Sequence, residues 1–128
     1  MTRPLQRLTY FSQSLIRGPD WFIEGEIARL LAVARDRNRQ MAITGMLLFN
    51  DGCFAQILEG AAEDLDTLLR SITADPRHAG VTVMQRGLID IRAFPDWNMH
   101  YIAHAAPIGA KGGPGLFERL SGVAQARA

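Results

Sequence analysis

Near its start the chain alternates hydrophobic and polar residues one by one, and soon afterwards it spaces them as a helix does. Leu8-Thr9-Tyr10-Phe11-Ser12 is an alternating run of β-favouring residues that Gly18-Pro19 interrupts, which predicts a first strand. From Asp20 the apolar positions Ile23, Ile27, Leu30, Leu31 and Ala34 recur three and four apart, predicting a helix that ends near Asn38 with Asp20 as its N-cap. Residues 42–49 and 53–59 are two apolar runs joined by Asn50-Asp51-Gly52, residues that tolerate positive φ, so a hairpin is expected. Gly60 closes the third strand. Leu65, Leu68, Leu69 and Ile72 then predict a second amphipathic helix that Pro76 stops. Residues 81–91 and 97–103 read as two further strands separated around Pro95. After a loose glycine-rich stretch at 109–115, Leu116, Phe117, Leu120 and Val123 predict a short C-terminal amphipathic helix.

The order βαββαββ predicts an α+β sandwich of ferredoxin-like topology, with a mixed five-stranded sheet, both helices on one face, and the first and third strands side by side at the centre. On the third strand Phe54, Gln56 and Leu58 share one face while Cys53, Ala55 and Ile57 share the other. Both faces are apolar, so the second face also needs a cover. The C-terminal helix is the expected one, unless it docks on a partner. The domain boundary is placed accordingly: residues 1–104 form the folded domain, and 105–128 a glycine-rich linker with that helix.

A length of 128 residues suits one core. Hydrophobic residues at 48% and charged residues at 21% exclude a disordered or fibrous chain, and a net charge of +1 argues against nucleic acid or a membrane surface as partner. The single cysteine, Cys53, rules out an internal disulfide or a thiolate cluster. The first ten residues carry no secretory signal pattern and no apolar run approaches a membrane span, so a cytoplasmic protein is expected.

Several polar residues fall where apolar ones belong. Gln56 lies mid-strand between Phe54 and Leu58, where an unpaired amide costs about 1–3 kcal/mol. Tyr10, on the neighbouring strand, can donate to it or accept from it. A core pair that fixes strand register is the plainer reading of these two residues by themselves; a ligand is the other. Asn38 reads as a helix C-cap, although its amide offers the donor and acceptor that a cyclic imide requires. Arg35, Arg37 and Arg39 read as a solvated run, with a secondary role near ligand phosphates as the alternative. Asp75-Pro76-Arg77-His78 is a turn in which Arg77 can lend a cation to a ligand carbonyl. His100 and His104 lack an acidic or thiol partner, so no metal site is assigned. Trp97, Met99 and Tyr101 share a face of the last strand and read as core filling.

Taken together, five blocks resemble the family of sensors of blue light using flavin, the BLUF domain. They are Leu8-Thr9-Tyr10-Phe11-Ser12, Asn38 ahead of Ile43-Thr44-Gly45, Phe54-Ala55-Gln56-Ile57-Leu58-Glu59-Gly60, Asp75-Pro76-Arg77-His78, and Phe94-Pro95-Asp96-Trp97-Asn98-Met99, spread over residues 7–104. The resemblance implies FAD held noncovalently between the two helices, with FMN or riboflavin as shorter alternatives. It implies that Tyr10 is the electron and proton donor and that Gln56 links it to the flavin. It implies further that Asn38 holds the imide edge, that Arg77 and His78 line the ring, and that Ile43 forms part of the wall. Trp97 and Met99 match the relay pair on the last strand, and Ser12 the serine that bonds the tryptophan in some members. Arg37 departs from the family, in which many members carry asparagine or histidine at this position.

The implied function is a blue-light photoreceptor without catalytic residues or an enzyme domain of its own. It would signal as a homo-oligomer or through a separate protein, such as a cyclic-dinucleotide enzyme or a transcription factor. A small hydrolase of the acylphosphatase kind, built around Arg17-Gly18, is the enzyme alternative, but the glycine-rich spacing around that arginine is missing. An RNA-binding or dimerising module is the third reading, and it lacks both a basic surface and paired exposed aromatics.

Overall fold

The computed structural model describes residues 3–50, 52–95 and 99–103. Its elements are β1 (Leu5–Ser14), α1 (Asp20–Gln40), β2 (Thr44–Asn50), β3 (Cys53–Ala61), α2 (Ala62–Ala74), β4 (His78–Ile89) and β5 (His100–Ala103). They form one five-stranded sheet in the order β4-β1-β3-β2-β5. All pairings are antiparallel except β2 with β5, which is parallel, so the sheet is mixed and β1 and β3 lie centrally, as expected.

Helix α1 buries Ile27, Leu31, Ala34 and Asn38, a four-three-four stripe that faces the sheet. Helix α2 buries Leu65, Leu68 and Ile72 on the same side. Both helices meet Leu8, Tyr10, Leu47, Phe54 and Leu58 in a single core. Leu8, Leu58 and Leu65 have no exposed surface, and each such leucine contributes about 1.5–3 kcal/mol of burial. On the opposite face Met46, Leu48, Ala55 and Ile57 are also buried, so the centre of the sheet is covered on both sides. The helix expected over 116–123 lies outside the described residues, as do Trp97 and His104.

The β2–β3 hairpin depends on two glycines. Gly52 turns the chain with a φ of 74°. Gly45 leaves no room for a side chain, because a Cβ there would sit 1.9 Å from the Ile57 carbonyl oxygen.

Several local expectations change. Asp20 is not the N-cap: Pro19 holds that position, and Asp20 is the acidic residue of the first turn. Asn38 is not the C-cap either, because α1 continues to Gln40 and ends on Met41. The third strand runs past Gly60 to Ala61 and passes directly into α2. Likewise β4 begins at His78, so the turn before it is only three residues long, and β5 begins at His100 rather than at 97.

Candidate functional site

Between α1 and α2, above β1 and β3, lies a cleft walled by Leu30, Ala34, Leu68, Ile72 and Phe54, with Tyr10, Gln56, Arg37, Asn38, Arg77, His78 and Met99 also on its lining. Register accounts for its centre. Tyr10 pairs directly with Gln56 across β1 and β3, and Leu47 pairs with Gln56 from β2. Directly opposed residues share a face, so the phenol and the amide meet beneath the helices. The Tyr10 hydroxyl donates a short hydrogen bond to Gln56 Oε1. At its other end Gln56 Nε2 faces the Met99 thioether at 3.7 Å, a weak acceptor. Burial pushes the Tyr10 hydroxyl well above the ordinary phenol range; the nearby Arg37 charge pulls it back and Asp75 pushes it further up. The phenol is therefore neutral at physiological pH.

Asn38 is brought to the cleft by helix geometry: it falls four residues after Ala34 and is fully buried. Its backbone carbonyl accepts the Ile43 backbone N–H at 2.8 Å, fixing the short link to β2. Arg77 lines the cleft, and its guanidinium is engaged by Asp75 through contacts of 2.8–3.1 Å. Burial tends to raise the Asp75 carboxyl, but the hydrogen bonds from Arg77 outweigh it and hold the carboxyl below the usual carboxylate range. His78 is fixed at both nitrogens. Nε2 meets the Ile72 carbonyl, which can only accept, so Nε2 carries the proton and Nδ1 receives the Ser12 hydroxyl at 2.7 Å.

Not every expected residue reaches the cleft. Ile43 is fully buried in the core but lies off the cleft wall, close to Gly60. Ser12 sits behind His78 and engages its Nδ1, while Trp97 lies outside the described residues. The arginine run is not a solvated stripe. Arg35 Nε donates to the Met99 carbonyl at 3.0 Å, Arg37 turns into the cleft, and Arg39 remains outside near Asp36.

Sequence reasoning passed over a second polar cluster, on the other face of β3. Glu59 has no exposed surface and accepts from Arg7 Nε at 2.9 Å, from the Ala93 N–H at 3.0 Å and from the Phe94 N–H at 3.0 Å. Arg92 ties the same connection to Thr44 Oγ1, the Glu59 carbonyl and the Ala42 carbonyl. The cluster thus anchors the segment that leads to Met99. A signal was present: Glu59 continues the Ala55-Ile57 face, where a carboxylate needs a partner, and Arg7 is its register mate.

A flat, three-ring ligand with an imide edge fits these residues: apolar side walls, amides at the sheet end, and one buried donor, Arg37 Nε, that has no partner. Over residues 5–100 the chain matches the family described as sensors of blue-light using FAD. It belongs to the BLUF family. As such it is a blue-light sensor that uses FAD, and the acylphosphatase-type alternative has no support. Over 95 residues, 74% of this chain, it is 38% identical to the photoactivated adenylate cyclase subunit beta of Euglena gracilis, but it spans only 11% of that relative's length. The dark-state structure of the BLUF protein BlrB superposes with a TM-score of 0.80 at 30% identity, covering 98% of this chain and 99% of that one. BlrP1 of Klebsiella pneumoniae, in a manganese and cy-diGMP complex, superposes at 0.70 and 32% identity over 91% of this chain and 28% of its own. Among the described residues no helix is long and apolar enough to cross a membrane, and no group of three or more potential ligands could hold a metal ion.

Proposed function

We propose that light sensing in this BLUF protein runs through Tyr10 as electron and proton donor and Gln56 as the two-pose element, with the flavin seated between α1 and α2. Asn38 holds the imide edge, while Arg77 and His78 line the ring. The observation that carries this reading is the buried chain Tyr10 Oη–Gln56 Oε1 with Gln56 Nε2 against Met99 Sδ. Bound in the cleft, the flavin supplies absorption of blue light and, once excited, the pull for one electron. Tyr10 is suited to provide it as a neutral phenol whose O–H already points at an acceptor. Losing an electron makes that proton strongly acidic, and Gln56 Oε1 is the base within reach. When electron and proton return to Tyr10 no net chemistry remains, but Gln56 can be left rotated or tautomerised, because among the described residues its NH₂ end meets only a thioether. The altered amide presents a different hydrogen bond to the flavin and a different end to Met99. A red-shifted spectrum that decays in the dark follows.

Visible spectra before and after blue illumination test this. The wild-type protein should show a reversible red shift, and both Tyr10→Phe and Gln56→Leu should lose it. Wild-type amplitude in either variant would remove that residue from the mechanism.

Residues 1–104 act in this reading as the sensor and 105–128 as linker and output helix. The sensor carries no enzymatic chemistry of its own in this reading; some relatives, such as the photoactivated adenylate cyclase subunit of Euglena gracilis, are far longer chains, whereas BlrB is of the same extent. The signal passes by way of Met99 and Trp97 to a separate cytoplasmic partner, a cyclic-dinucleotide enzyme or a transcription factor, or through a homo-oligomer. Pull-down of a partner in the dark and under illumination, with Met99→Ala as control, tests the route.

A further inference from the structure

One half-buried cation of the cleft, Arg37, has no task in the scheme above. Arg37 lies three residues after Ala34, on the flank of the buried stripe of α1, and lines the cleft beside Asn38, Tyr10 and Gln56. Its Nε is shielded from solvent and has no hydrogen-bond partner. The carboxylate nearest to hand, Asp75, is already engaged by Arg77 through both oxygens. A guanidinium stays protonated in proteins, so the cleft contains a positive charge and a donor that no described residue satisfies. Retaining such a group costs stability unless something in the cleft takes it up.

We propose that Arg37 is a ligand for the flavin's imide edge: it donates Nε–H to a carbonyl oxygen there and sets a positive charge against the ring, so the site prefers the reduced, anionic flavin over the oxidised one. This rests on the flavin occupying the α1–α2 cleft. The physical ground is simple. A reduced flavin that has lost its N1 proton spreads negative charge over the N1–C2 carbonyl edge, whereas the oxidised ring is neutral. A neighbouring cation therefore binds the reduced form more tightly and raises the midpoint potential; each tenfold of preference is worth about 30 mV for a two-electron couple. Burial and the neighbouring Arg77 charge oppose the Arg37 charge, while the Asp75 carboxylate favours it. With a fixed charge at this place in the cleft, the bound flavin should be easier to reduce.

The test uses the full chain, unloaded and loaded with FAD, comparing wild type with Arg37→Met and Arg37→Lys. Arg37→Met removes charge and donor at similar length. It should make the unloaded protein more resistant to denaturant, weaken FAD binding about 10- to 100-fold, and lower the midpoint potential. Arg37→Lys should keep most of the raised potential while losing part of the affinity, because the charge survives and the planar donor does not. Opposite signs on unloaded stability and FAD affinity are the signature that a purely structural arginine would not give. Unchanged affinity and potential in Arg37→Met, with wild type binding FAD normally, would overturn this proposal and leave the light-sensing reading intact. Failure of wild type to bind any flavin would overturn both.

Discussion

Two polar side chains three residues apart on β3 are held in opposite ways. Gln56, facing the helices, receives a hydrogen bond from Tyr10, and among the described residues its other end meets only a thioether. Glu59, facing away, is gripped by a guanidinium and two successive backbone amides and has no solvent exposure. A carboxylate with more donors than it can spare has one pose. An amide whose second partner is a thioether is held firmly at one end only, which is the property the proposed switch uses. In the proposed mechanism one strand thus carries a fixed point and a movable one, and the connection to Met99 is anchored by the first and touched by the second. What the pairing teaches is that a switch needs a rigid reference close by, or its motion is absorbed locally.

The comparison breaks or sharpens under mutation. The largest effect is expected at the fixed point: Glu59→Leu strips the partner from Arg7 and from two buried amides and should cost about 3–5 kcal/mol in denaturant unfolding, with Glu59→Gln losing less. Gly45→Ala should follow at about 1–3 kcal/mol, because the added methyl collides with the Ile57 carbonyl and must push β2 from β3. Gln56→Leu should cost only about 1 kcal/mol, since one hydroxyl loses its acceptor, although the light response disappears completely. A loss as large as that at Glu59 would make Gln56 an anchor and undo the contrast.

The pH dependence of Tyr10 is a finer probe. Its folded pKa is raised by burial above the unfolded value of about 10, so its contribution to stability is complete below pH 10 and declines as the pH climbs beyond that value toward the folded one. Tyr10→Phe should remove that part of the alkaline decline, measured as unfolding free energy against pH. The smallest effect should come from Met99→Leu, about a few tenths of a kcal/mol in stability, read instead as a changed dark-recovery rate because the amide loses the thioether it faces at that end.

Much of this was readable beforehand. The alternation through Tyr10 and Gln56, the helical spacing of both helices and the hairpin glycines gave the strand order and set the two residues side by side, because periodicity determines faces. The two cases that misled were both arginine and asparagine positions on α1. Asn38 and Arg37 look like helix-end residues by type, yet the stripe that contains Ala34 continues through the last turn and carries them inward. Glu59 was hidden for a different reason: its partners Ala93 and Phe94 act through backbone amides, which side-chain patterns do not encode.

The amino-acid order alone determined which residues are apolar, how often they recur, and therefore the five strands, the two helices and the pairing of a phenol with an amide. Only the tertiary structure decided that Gln56 is loosely held while Glu59 is locked, that Ser12 serves His78, and that Arg37 points into the cleft without a carboxylate. Such facts depend on which donors and acceptors distant segments deliver to one place. Hydrogen-bond satisfaction is a property of that meeting, and no local period records it.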